Sequence, residues 1–160
     1  MQQTLQTLFQ YKAWAHEQLH ALLAVHLSSL SAQDQTTVLR LLNHVWVVEQ
    51  IFQANLQGLP HGWAALNTTD TPTLATLLTR QQDSDRWFQH YLHTLDNTDL
   101  AQQLDFCFVD GQAGSMQRDQ MLMHLLTHGN YHRGMVGNVL ARAGIQPPKD
   151  SLTVFLHRHT

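Results

Sequence analysis

The chain has 160 residues with 13% charged side chains, a formal net charge of -3 and no run of Lys or Arg. That balance leaves no electrostatic footprint for nucleic acid and no polybasic patch for a membrane surface. One cysteine, Cys107, excludes an internal disulfide framework and a cysteine-built zinc cage. The length suits one domain around one core. Met1-Gln-Gln-Thr-Leu5 lacks the charged region and apolar core of a signal peptide. No apolar run approaches the ~20 residues that cross a bilayer. A cytoplasmic protein is the expectation.

In chain order, Leu5, Leu8, Phe9, Ala15, Leu19, Leu22 and Leu23 recur at helical spacing, which predicts a first helix over about residues 2–27. Ser31, with Asp34 three residues on, is a cap signal for a second helix over about 36–57. Its face includes Leu41, Leu42, Val45, Val48, Ile51 and Phe52, and Gly58 with Pro60 stops it. After a polar loop over 60–72, Thr71-Pro72 opens a third helix over about 73–95, which Asp96-Asn97-Thr98-Asp99 closes. Leu104, Phe106 and Phe108 then alternate with Asp105, Cys107 and Val109 before Asp110-Gly111, the pattern of a strand entering a hairpin turn. A fourth helix spans about 118–143 and ends at Gly144; the extended tail leads to a final turn or short strand over 151–157. The expected fold is all-α: an up-and-down four-helix bundle with a small β-hairpin inserted between helices 3 and 4. Residues 1–160 form a single domain on this reading.

Chemistry concentrates in the fourth helix, in His124-Leu-Leu-Thr-His128-Gly-Asn-Tyr-His132. Residues four apart share a helix face, so neighbouring histidines of this series can aim at one ion. Neutral imidazole is the commonest protein ligand for metals. His124 and His132 lie about 12 Å apart along the axis and cannot share an ion; His128 must pair with one of them. On the second helix, His44 sits among apolar residues and points inward, where a ring must satisfy both nitrogens. Three imidazoles from facing helices leave room for water or substrate, the pattern of a catalytic zinc site. Such a site also accepts nickel, copper or iron. The remaining histidines (His16, His20, His26, His61, His90, His93, His157, His159) read as surface or loop residues. Glu49 lies about 140° round the helix from His44 and is expected to pair with Arg133 or another interior group. Trp46, Tyr131 and Met135 are candidates for pocket walls or core, and Cys107 for a structural role.

Several separated segments together resemble the DinB/YfiT family of bacterial metal-binding helical bundles. Tyr11-Lys-Ala-Trp14-Ala15 with Leu19 resembles its first-helix signature. Leu42-Asn43-His44-Val45-Trp46 resembles its second-helix histidine segment, and His128-Gly-Asn-Tyr-His132-Arg133-Gly134 its fourth-helix motif. Ala143-Gly144-Ile145-Gln146-Pro147-Pro148 matches the tail; Met135 departs from the Gln common at that place. The resemblance implies His44, His128 and His132 as ligands of a divalent ion, zinc or nickel, held between the second and fourth helices, with His124 beside the site. It implies a homodimer. It also implies, as one option, a metal-dependent thiol S-transferase in which a low-molecular-weight thiol is cosubstrate with a small electrophilic molecule. The alternatives are a non-enzymatic metal-binding stress-response protein and an interaction module.

Overall fold

A computed structural model describes residues 1–158, so His159, one of the histidines read as surface, lies outside the described residues. Among these the chain is mostly helical, with one two-stranded sheet. The elements are α1 (Gln2–His26), α2 (Ala32–Leu56), α3 (Leu74–His93), α4 (Asn97–Leu100), β1 (Gln103–Cys107), β2 (Ala113–Gln117), α5 (Arg118–Arg142) and α6 (Leu152–Arg158). A single 3-10 turn at Leu27–Ser29 joins α1 to α2. No helix among the described residues is long and apolar enough to cross a membrane.

The boundaries follow from local chemistry. Helix α2 begins four residues earlier than its apolar stripe suggests, because Ser31 Oγ accepts the Asp34 N–H and donates to the Asp34 carboxylate. Asp96 does not merely close α3; it caps α4 in a reciprocal box with Asp99. In the hairpin, Gly111 takes the positive φ (83°) that the turn demands. Phe106 faces Gly114 across the two strands. The final segment forms α6, not a strand, capped by Ser151 and packed through Phe155 on Tyr11 and Trp14.

Helix α1 packs on α3 and α5, and α2 packs on the same two. The directions do not alternate along the chain as expected. Arg80 lies over Trp46, Gln81 and Ser84 reach Glu49, and Tyr91 reaches the Leu56 carbonyl, so α2 and α3 run parallel. The segment over 57–73 makes this possible by travelling back along α2. Arg40 donates to the carbonyls of Thr68 (2.6 Å) and Asp70, and buried Asn43 donates to Asn67 and Thr68. A tight turn could only have produced an antiparallel pair.

Two large apolar cores result, beside a small third cluster of Tyr11, Ala15 and Phe155. One joins Leu5, Phe9, Phe52, Phe88 and Leu122 with Phe106 of the hairpin; the other joins Leu19, Leu23, Val38, Leu77 and Leu140. Between them the stripes of all four long helices turn polar at one level: Lys12 and His16 on α1, Glu49 on α2, Gln81, Ser84 and Asp85 on α3, and Arg133 on α5, all buried. Lys12 Nζ lies 2.8 Å from Glu49 and 2.6 Å from Asp85. Glu49 also accepts from Gln81 Nε2 and Ser84 Oγ. Of the two partners expected for Glu49, Arg133 or another interior group, the second is found, in Lys12; Arg133 Nε instead donates to Asp150 at 2.7 Å, and Tyr11 binds the same carboxylate.

Candidate metal centre

His44 leaves α2 and His128 and His132 leave α5, two helices that cross side by side. Glycine at position 129, next to His128, is buried against Arg133. Ring centroids lie 4.9 Å apart for His44 and His128, 4.7 Å for His44 and His132, and 4.5 Å for His128 and His132. One nitrogen from each ring falls within 4.8 Å of the other two, and all three residues are partly buried. Among the described residues this is the one group of His, Cys, Asp or Glu side chains with that convergence.

The tautomer of His44 favours a cation. His44 Nδ1 donates to the Leu66 carbonyl at 2.8 Å, which leaves its lone pair on Nε2. That Nε2 faces His128 Nε2 at 3.0 Å. Tetrahedral zinc with nitrogen ligands at about 2.0–2.1 Å separates those nitrogens by roughly 3.3 Å, so the observed spacing suits a shared ion. Burial, reinforced by His132, His44 and His124, pushes the His128 imidazole down to about 3. Burial and His44 lower His132. Both rings are neutral at pH 7, the form that binds metal. The second helix residue Asn43, adjacent to His44, holds the returning loop that carries Leu66, and so the outer partner of His44 depends on the clamp described above.

His124 does not join the three. Its ring stacks on Phe52 (4.9 Å, 25°) and lies 5.5 Å from His128, a place beside the cluster. Tyr131 sets its ring edgewise to His132 at 5.1 Å but is largely exposed, as is Met135, so neither is core. Trp46 packs on Trp63 and Arg80, away from the three rings. Cys107 is exposed on β1. Glu49 lies off the ligand face, as its angular offset requires.

His16 and His20 correct the expectation of surface histidines: both are buried. His16 Nδ1 donates to Asp85 at 2.9 Å, and its Nε2 accepts from Arg133. Burial outweighs the Asp85 carboxylate and holds His16 below its ordinary value. Burial takes His20 down to about 4. The signal was available in the spacing. Leu5, Phe9, Lys12, His16, Leu19 and Leu23 advance by three or four residues at every step, so Lys12 and His16 occupy interior positions of an apolar stripe.

A mostly helical fold whose α2 and α5 bring three imidazoles to one point defines a protein able to hold a divalent ion through side chains alone. The family pattern described as DinB family matches residues 1–159, and the chain belongs to that family. No curated protein and no solved structure matches the chain.

Proposed function

We propose that this protein is a metal-dependent enzyme of the DinB family, built as a four-helix bundle of α1, α2, α3 and α5, in which His44, His128 and His132 bind a divalent ion, zinc or nickel. The observation that carries the reading is the three-nitrogen convergence with His44 already oriented by Leu66. Three protein ligands leave coordination positions for an exogenous group. A divalent ion held by these three residues would supply the positive charge that favours the thiolate form of a thiol.

The reaction class is S-transfer from a low-molecular-weight thiol to a small electrophile. The sulfur forms a carbon–sulfur bond as the carbon–halogen bond breaks; the halide leaves with the bonding pair, and the thiol proton passes to solvent. The chain's part is positional. Leu66 holds the His44 ring in one tautomer, burial keeps His128 and His132 unprotonated, and Phe52 with His124 covers the side of the cluster facing the hairpin. The surrounding protein is read as a cytoplasmic homodimer of single-domain chains, which sedimentation checks directly.

The test is a comparison of metal-loaded protein with His128→Ala, using cysteine as thiol and 1-chloro-2,4-dinitrobenzene as electrophile, with elemental analysis on both samples. The expected result is about one ion per chain and thiol consumption in the parent only. Metal at full stoichiometry with equal, uncatalysed rates would leave a non-enzymatic metal-binding protein; no stoichiometric metal would reject the reading altogether.

A further inference from the structure

Outside the triad, the structure holds a largely apolar cavity of about 560 Å³ between α2, the returning loop and the hairpin. That volume lies within the range of small-molecule sites, which combine apolar walls with a few polar groups. Val48, Phe52, Leu66, Phe106 and Phe108 line it, with Asn55 among its polar edges.

Its position relative to the histidines is set by helix geometry. His44, Val48, Phe52 and Asn55 lie four, four and three residues apart on one face of α2. The cavity thus begins one turn, about 6 Å, beyond His44 and continues for about 10 Å more along the same face. Two walls are shared with the cluster's own surroundings. Leu66 lines the cavity while its carbonyl accepts from His44, and Phe52 lines it while stacking on His124. On the far side, Phe106 and Phe108 sit two residues apart on one face of the hairpin, rings 5.1 Å apart and edge to face. A Cβ at Gly114 would come within 2.7 Å of Phe106 and 2.8 Å of Phe108. Glycine there lets both rings lie against the strand and form a wall. Phe108 and Leu66 are half exposed, 49% and 50%, a cost in solvated apolar surface that a bound apolar group would remove.

We propose that this cavity receives the apolar tail of an amphiphilic substrate whose polar, metal-binding head lies at the triad. The assignment rests on the metal-site reading for the head, and on the cavity alone for the tail. The substrate class is a linear aliphatic or arylalkyl molecule ending in a thiol or carboxylate. Compact, fully polar electrophiles fill neither wall.

The test is isothermal titration of straight-chain alkanoates from butanoate to dodecanoate, below their micellar concentrations, into zinc-loaded and chelator-treated protein. Burial of each added methylene should tighten binding about fourfold until the tail passes Asn55. Phe108→Ser and Leu66→Ser, at half-exposed positions, should flatten that chain-length dependence. His132→Ala should weaken every alkanoate by a similar factor and preserve the dependence. Affinity independent of chain length, or a dependence unchanged in both wall variants, would overturn the proposal. Chain-length dependence of equal strength with and without zinc, and no zinc effect on any single affinity, would overturn the metal-bound head and leave the tail site standing.

Discussion

Lys12→Met probes the charge layer that divides the two cores. The ammonium is fully buried, contacts Glu49 and Asp85 at 2.8 and 2.6 Å, and lies over the rings of Phe9 and Phe88. Methionine keeps most of the stem volume and the aromatic contacts, so the loss isolates the charge. Removing one partner of a buried ion pair costs about 3–5 kcal/mol because the other charge stays buried without compensation. Here two carboxylates are left, but Glu49 retains Gln81 and Ser84, and Asp85 retains His16. The two effects oppose each other, and about 3–5 kcal/mol stands as the expected loss at pH 7. For a chain of this size that is a fall in Tm of roughly 10 °C. Burial opposes ionisation of Asp85, but Lys12 and His16 hold its carboxyl well below the usual range. The stability this contributes is present above the ordinary carboxylate value of about 3.9 and disappears as pH falls through the depressed one. The variant lacks that contribution while the parent keeps it in full at pH 4.5, so the gap between the two persists from pH 7 to 4.5 and closes only below about 3.9. Urea unfolding followed by circular dichroism at pH 7 and 4.5 measures both quantities. In the same series, Asp85→Asn should cost less in the Lys12→Met background than in the parent. A loss below about 1 kcal/mol at pH 7, or full additivity of the two substitutions, would refute the view of Lys12 as the charge that balances the layer.

Other outcomes follow from the same geometry. Zinc at a thousandfold excess over Kd should stabilise the parent by about 4 kcal/mol, read as a thermal shift that chelator reverses and His132→Ala removes. Asn43→Ala should release the loop carrying Leu66 and weaken zinc binding roughly 10- to 100-fold, as loss of a ligand's outer partner does; competition with a chromogenic chelator reports it, and an unchanged affinity would separate the loop from His44. His20 is held neutral down to about 4 against an ordinary 6.5, so the unfolded chain binds the extra proton across that window and stability falls as pH drops through it. From pH 6.5 to 5 the loss from this ring is about 2 kcal/mol, and His20→Leu should lessen the acid sensitivity measured by urea midpoints. Gly114→Val should drive the Phe106 and Phe108 rings from their places at a cost of about 1–3 kcal/mol, and abolish the chain-length dependence of alkanoate binding.

Much of the site is legible in the chain itself. A four-residue spacing on a helix has one geometric meaning, so His128 and His132 on one face followed from local periodicity. His44 among apolar neighbours had to point toward the interior for the same reason. The hairpin was readable because alternation and Asp110-Gly111 are likewise local signals.

What periodicity cannot carry is the relation between helices. Nothing within α2 or α3 states that they run parallel; that depends on Asn43 and Arg40 binding a loop some 25–30 residues away. The same contacts deliver the Leu66 carbonyl to His44, a partner no motif names because it is backbone. The level at which four stripes become polar together is also a tertiary fact. Lys12, Glu49 and Asp85 each look like ordinary helix charges until three helices stack them within hydrogen-bonding distance. Local sequence determines the face a side chain occupies; only packing decides which face it meets, and burial by that meeting sets both the neutral imidazoles and the ion layer beneath them.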